Sequence, residues 1–301
     1  KALGARKIIY LGAGEPLLDS KLVDVIKYVH KLGLDHILFT NGTLINGQLA
    51  RLFYEHKVTP VVKYKTQDPD IYDKLTGVPG SYASMKRGLD FLFKAGYPDK
   101  DHKLGIEGVI CRQNINEIFN LWRCSRNRGI FPYFECITQA GCAANKTDII
   151  PEKHEIKRIF KELSRIDKEE YGHEWTAKPP IAGFTCNRHL YSCVVTSQGY
   201  VMPCIGVDIK IGNIREDKLK NILIYSNVRD ELVNIKTNIK GPCRTCENNS
   251  ECYGCRGNAY NITGDYLAAD PTCWKHGDTV SRCHGVTVSR KKTPGLPGPL
   301  A

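Results

Sequence analysis

Eight cysteines fall between residues 186 and 273 of this 301-residue chain: Cys186, Cys193, Cys204, Cys243, Cys246, Cys252, Cys255 and Cys273. Four thiolates complete one zinc site or one iron–sulfur cluster, so eight can furnish two centres. Cys243 with Cys246, and Cys252 with Cys255, are C-x2-C clips, in which two thiolates grip one metal from a single turn. One structural zinc held by both clips is the simplest reading, and it leaves the other four cysteines without a task. Gly199 and Pro203 ahead of Cys204, and Pro242 ahead of Cys243, mark loops, which suit ligands converging on a cluster.

A second chemistry is written in residues 11–19, where Gly12, Gly14, Glu15 and Pro16 follow an apolar run at 8–12. Glycines let backbone groups approach a ligand, and a following helix start favours anionic groups. A tight strand-to-helix turn would look the same. Residues 40–45, with Thr40, Asn41 and Gly42, form a second small polar loop on the same rim, or an ordinary Asn-Gly turn. Two such loops on one rim favour a ligand pocket. Glu135 and Gln139 stand at the end of a later strand and could face it, although plain solvent contact is the commoner fate of such residues. Cys111, Cys124, Cys136, Cys142 and Cys283 read as buried or incidental thiols, with Cys142 nearest the rim. The histidines, His30, His36 and His102 among them, show no paired metal spacing.

These residues need a scaffold. Apolar runs at 8–12, 36–40, 59–64, 104–110 and 131–137 read as strands. Helical spacing occupies 20–32, 47–56, 82–96 and 114–128, the last with Asn114 as a candidate N-cap. Five strands alternating with helices imply right-handed crossovers and a parallel sheet, with function at the carboxyl ends of the strands. Beyond Pro151, Ile156, Ile159, Phe160, Leu163 and Ile166 mark an amphipathic helix, packed on the sheet or bridging two domains. Residues 172–183 read as a linker, and the tail beyond Val288 as disordered.

With 42% hydrophobic residues the chain can build a core, and no apolar run approaches the roughly 18 residues of a membrane span. No signal-peptide stretch precedes the first strand, so a cytoplasmic location with reduced thiols is expected, as the odd total of thirteen cysteines also suggests. The net charge of +11 is scattered rather than gathered into a stripe, which argues for a solvated surface and against a nucleic-acid partner.

The cysteine pattern resembles the SPASM domain of radical S-adenosylmethionine (SAM) enzymes. That pattern runs from a cysteine to Gly-x4-Cys, then C-x2-C-x5-C-x3-C, then a last cysteine. Cys186, then Gly199 with Cys204, then Cys243, Cys246, Cys252 and Cys255, then Cys273 follow it, except that two residues rather than three separate Cys252 from Cys255. Residues 13–16 are similar to the family's Gly-Gly-Glu-Pro loop, 39–45 to its third-strand loop and 108–118 to its fifth-strand element, with Asn114 in place. Lys63 and Lys65 stand where many members carry a serine–aspartate segment near the ribose.

The resemblance implies a partial (β/α)6 TIM-like barrel missing its first strand over 1–148, a bridging helix and linker over 149–183, and a small Cys-rich α+β SPASM domain over 184–288, with a disordered tail from 289. It implies SAM contacts at Gly14, Glu15, Pro16, Thr40, Asn41 and Asn114. Cys186, Cys193, Cys204 and Cys255 would ligate one auxiliary four-iron four-sulfur cluster, and Cys243, Cys246, Cys252 and Cys273 a second. The family's C-x3-C-x2-C triplet, which holds the SAM-cleaving cluster, occurs nowhere in the sequence. A fragment of a parent that carries SAM and this third cluster is expected, or else a degenerate barrel. The implied activity is hydrogen abstraction by a deoxyadenosyl radical, on a peptide or small-molecule substrate, with a flavodoxin or ferredoxin as reductant and no membrane partner. A zinc- or cluster-binding scaffold, or an electron-transfer module, is the alternative.

Overall fold

The computed structural model describes residues 1–12, 14–138, 143, 146–179 and 182–276. Gln139, Cys142, Cys283 and the tail from 289 lie outside the described residues.

Strands β1 (Lys7–Tyr10), β2 (Asp35–Thr40), β3 (Val58–Lys63), β4 (Gly105–Ile110) and β5 (Phe131–Cys136) alternate with helices α1 (Leu22–Lys31), α2 (Gly47–Glu55), α3 (Pro69–Thr76), α4 (Ser81–Ala95), α5 (Ile118–Arg126) and α6 (Lys153–Tyr171). Every neighbouring pair is parallel and the order is β1-β2-β3-β4-β5. Strands in chain order with a helix in each crossover make an opened barrel, here a curled half-barrel whose five carboxyl ends share one rim.

The helices bury one continuous core against the sheet, in which Ile26, Leu38, Phe53, Val62, Leu92, Ile106 and Ile118 take part. Burying one such side chain stabilises by about 1.5–3 kcal/mol. Ile156, Ile159, Phe160, Leu163 and Ile166 of α6 belong to the same core, so α6 is a barrel helix packed on the sheet. It is clamped at the buried Asp167, which accepts hydrogen bonds from Trp122 Nε1 (2.6 Å), Trp175 Nε1 (2.9 Å) and Arg126 Nε (2.9 Å).

Two local expectations change. Helix α3 is invisible to apolar periodicity because Tyr72 is its one buried residue, yet its ends carry sound signals. Asp68 caps the amides of Asp70 and Ile71, Pro69 opens the first turn, and Gly77 closes it at φ +71°. Asn114 is not an N-cap, for α5 starts at Ile118 with Glu117 ahead of it. The Asn114 side chain is instead fully buried and bound to the strand ends, as described below.

The second part is small and mixed. Strands β6 (Val194–Val195), β7 (Tyr200–Met202) and β8 (Gly212–Asn213) form an antiparallel sheet beside α7 (Arg188–Tyr191), α8 (Leu219–Ile224), α9 (Asn227–Val233), α10 (Ile235–Asn238) and α11 (Arg256–Thr263). Leu232, Ile235, Ile239, Tyr253 and Leu267 pack together with Cys243. Ring contacts of Tyr133 with Phe184 and of Phe160 with Trp274 join this part to the barrel. Among the described residues no helix is long and apolar enough to cross a membrane.

Candidate cofactor site

Two rim loops are tied to each other before they meet any ligand. Glu15 accepts from the Thr40 hydroxyl (2.6 Å) and the Leu17 amide (3.2 Å) on Oε1, and from the Asn41 amide (2.7 Å) on Oε2. Thr40 is fully buried and its hydroxyl also accepts from the Gly42 amide, so its side chain acts within the loop. Asn41 Oδ1 accepts from Thr43. Pro16 opens a 3-10 turn over Pro16–Leu18 with Glu15 as its cap. Gly12, Gly14, Glu15, Asn41 and Lys63 line a cleft of about 390 Å³, within the size range of small-molecule sites.

Asn114 holds the rim from behind. Its Nδ2 donates to the carbonyls of Lys65 (2.7 Å) and Val109 (2.8 Å), and its Oδ1 accepts from the Cys111 amide (2.9 Å). It fixes the ends of β3 and β4, with both Nδ2 hydrogens engaged by backbone carbonyls.

A charged cluster adjoins the cleft through Lys63. Lys63 stands opposite Glu107 in the β3–β4 register, and Glu107 opposite Tyr133 in β4–β5. Two residues along, Glu135 accepts from the Tyr133 hydroxyl at 3.0 Å. Burial, then the charge of Glu135, pushes the Glu107 carboxyl up to about 7, and burial raises Glu135 as well. Two neighbouring buried carboxyls resist ionising together, and Glu107 Oε2 is buried with no hydrogen-bond partner among the described residues. Burial, then Lys63, lowers the Lys65 ammonium. From α7, Arg188 comes within electrostatic reach of Glu135. Plain solvent contact, the common fate of a strand-end carboxylate, does not describe Glu135. Glu107 carried no signal in the sequence, because only strand register shows that it shares a face with Lys63 and Tyr133. Register likewise decides the surroundings of His36, buried beside the rings of His30 and Tyr10 without any sequence spacing to announce it.

The cysteines sort into neighbourhoods. Cys204, Cys255 and Cys186 interact with one another. Cys243, Cys246, Cys252 and Cys273 form a second set, linked through Cys243 and Cys252. Cys193 lies beside Arg229. Cys136, at the end of β5, is half-buried beside Cys255 and Asp270, where the barrel rim meets the cysteine module. Among the described residues no three His, Cys, Asp or Glu side chains are drawn together tightly enough to hold a single metal ion.

Cys204 and Cys255 meet because two glycines allow it. A Cβ on Gly257 would sit 2.9 Å from the Cα of Gly206, so the start of α11 lies directly on the turn after Cys204. Asn261 Nδ2 fastens the contact by donating to the Gly206 carbonyl at 2.9 Å. Cys255 is the N-cap of α11, and its sulfur accepts from the Asn258 amide. Burial pushes the thiols up, Cys273 to about 11 and Cys204, Cys243, Cys252 and Cys255 in the same direction, so metal binding must displace protons. Arg256 supplies the compensating charge: it is 3% exposed, and its Nε and Nη2 have no hydrogen-bond partner among the described residues. Buried donors beside thiolates fit an anionic iron–sulfur group.

Comparison with known proteins agrees with this geometry. Residues 186–255 match the family model of SPASM, an iron–sulfur cluster-binding domain. An AdoMet-dependent heme synthase of Methanosarcina barkeri is 25% identical over 303 residues, covering 89% of this chain and 82% of the relative. A PqqA peptide cyclase of Methylocella silvestris is 23% identical over 282 residues, covering 88% and 73%. The solved structure of anSMEcpe with bound AdoMet and Kp18Cys peptide superposes with a TM-score of 0.66 at 17% identity, covering 88% of this chain and 79% of that one, and shares the partial barrel fold.

Proposed function

We propose that this chain, a radical SAM enzyme with an iron–sulfur-binding SPASM module, binds SAM in the rim cleft, holds two four-iron four-sulfur clusters, and modifies a peptide. The observation that carries this reading is the meeting of three features at one rim: the Gly12–Gly14–Glu15 cleft, the Glu107–Glu135 carboxyl pair and the thiol groups beyond β5.

In this reading residues 1–148 are the barrel, 149–183 its last helix and linker, and 184–288 the cluster module. Gly14 and Pro16 shape the loop that meets SAM, Asn41 lines the same cleft, and Glu15, Thr40 and Asn114 position it. Cys186, Cys193, Cys204 and Cys255 hold one cluster, and Cys243, Cys246, Cys252 and Cys273 the other. Four thiolates per cluster leave no iron position for substrate, which reserves the module for electron transfer. SAM together with the third cluster, whose C-x3-C-x2-C triplet this sequence does not contain, would supply a carbon radical able to remove a hydrogen atom from substrate. Glu107 and Glu135, both raised by burial, would hold the proton that substrate oxidation releases. Lys63 neutralises charge where the cleft meets the carboxyl pair.

A peptide substrate is supported by the peptide in the anSMEcpe structure and by the PqqA peptide cyclase. A second reading, a heme-forming reaction, is favoured by the heme synthase relative and by the three cations Lys63, Lys65 and Arg188, which suit a carboxylate-bearing tetrapyrrole.

Anaerobic reconstitution with iron and sulfide tests the cofactors: about eight irons per chain, broad visible absorption and SAM retention in equilibrium dialysis are expected. Colourless protein holding zinc overturns the reading. Challenge with a random peptide pool and with an iron porphyrin bearing free propionates separates the substrate classes. Peptide capture supports the first, and a shifted porphyrin Soret band without peptide capture transfers the assignment to the second.

A further inference from the structure

We infer that Arg256 is a shared electrostatic link between the two cluster sites, directing Nε and Nη2 at both thiol groups and raising both reduction potentials together. The inference rests on the reading that the module holds two iron–sulfur clusters.

Arg256 opens α11 directly after Cys255, and its guanidinium is held at one corner only. Nη1 donates to the carbonyls of Tyr266 (2.8 Å) and Ala268 (2.7 Å). Nε and Nη2 are buried without a partner among the described residues. A guanidinium stays charged in any protein setting, and a buried donor fork with two unmet N–H groups calls for an anion.

The anions that face Arg256 come from both sides. Its electrostatic partners are Asp270, Cys243, Cys255 and Cys252. Cys255 belongs to the first thiol group, and Cys243 and Cys252 to the second. Asp270, fully buried, holds a fixed place opposite: it accepts from the Cys255 amide (2.7 Å), the Thr272 amide (2.9 Å) and the Thr272 hydroxyl (2.7 Å). Cys243, Cys252, Cys255 and Cys273 all feel its charge. The chain crosses this pair at Gly254, where φ is +64° and a Cβ would lie 2.5 Å from the Asp270 Cβ and 3.1 Å from Arg256 Nη2. One cation and one carboxylate therefore stand side by side within electrostatic reach of both groups.

A cation favours the more negative, reduced state of each cluster, and hydrogen bonds to cluster sulfur act in the same direction. The test is an EPR-monitored redox titration of the reconstituted full chain, with iron and sulfide counted in every sample. Arg256→Met should lower the reduction equilibrium constant of both clusters about tenfold, a midpoint shift of about 59 mV for a one-electron couple. Arg256→Lys, which keeps the charge without the fork, should fall between. Full iron content with both midpoints unmoved, or only one moved, overturns the inference. If Arg256→Met loses iron, Arg256→Lys decides: unchanged midpoints overturn the inference and a drop in both sustains it. Wild-type protein that takes up no iron defeats the parent reading first, and that control tells the two failures apart.

Discussion

The Glu15 carboxylate and the Thr40 hydroxyl meet at 2.6 Å, joining the loop after β1 to the end of β2. The other Glu15 oxygen accepts from the Asn41 amide, so one side chain sets two walls of the cleft. Glu15→Gln keeps the shape but turns one acceptor into a donor. SAM affinity of the reconstituted protein, measured by equilibrium dialysis, should fall about tenfold, the effect of losing one charge-assisted hydrogen bond. Unchanged affinity would remove Glu15 from the cleft's architecture.

Asn114→Ala strips partners from the Lys65 and Val109 carbonyls and from the Cys111 amide in a fully buried place. Urea denaturation should show a loss of about 2–4 kcal/mol, because buried backbone groups are left unpaired. Asn114→Asp should be at least as damaging, since a carboxylate would face two carbonyls.

Glu107 gives stability a specific pH dependence. Its folded carboxyl keeps its proton up to about 7, whereas the unfolded group releases it near 4.5. The folded state therefore binds more protons between these values, and stability falls as pH rises from about 4.5 to about 7, then levels. The total effect is roughly 3 kcal/mol at most. Glu107→Gln should flatten this slope and be the more stable protein at pH 8, as read from denaturant midpoints across pH. A variant with the wild-type slope would contradict the placement.

The thiol groups make a countable prediction. Cys204→Ser and Cys255→Ser should each lose about four irons per chain and retain the rest, and Cys193→Ser should do the same although Cys193 lies beside Arg229. Cys252→Ser should lose the other set. Cys124→Ser, on α5, should keep full iron content.

Asp167→Asn removes a buried negative charge from Trp122, Trp175 and Arg126, and leaves the Arg126 guanidinium without its carboxylate. A loss of about 3–5 kcal/mol is expected from breaking such a pair, visible as a lower melting temperature. The iron stoichiometry of the folded variant should be unchanged, since the Asp167 carboxylate bonds Trp122, Trp175 and Arg126 and no cysteine.

Much of this architecture was legible in the residues themselves. Apolar period and β-branched runs announced all five barrel strands, because a strand buried in a parallel sheet must be apolar along its length. Cysteine spacing announced the module, because thiolates that share a cluster need loops of particular length. Helix α3 escaped because a single buried residue makes no period, and Asn114 was misread because a cap and a strand clasp use the same side chain. What only tertiary structure decided is which distant residues meet. Glu107 and Glu135 come into electrostatic contact from adjacent strands, Cys255 reaches Cys204 through two opposed glycines, and Arg256 comes within electrostatic reach of two groups of thiols. A linear sequence records its own local preferences, whereas charge coupling depends on separation in space and on the removal of water, and both are set only when the chain has packed.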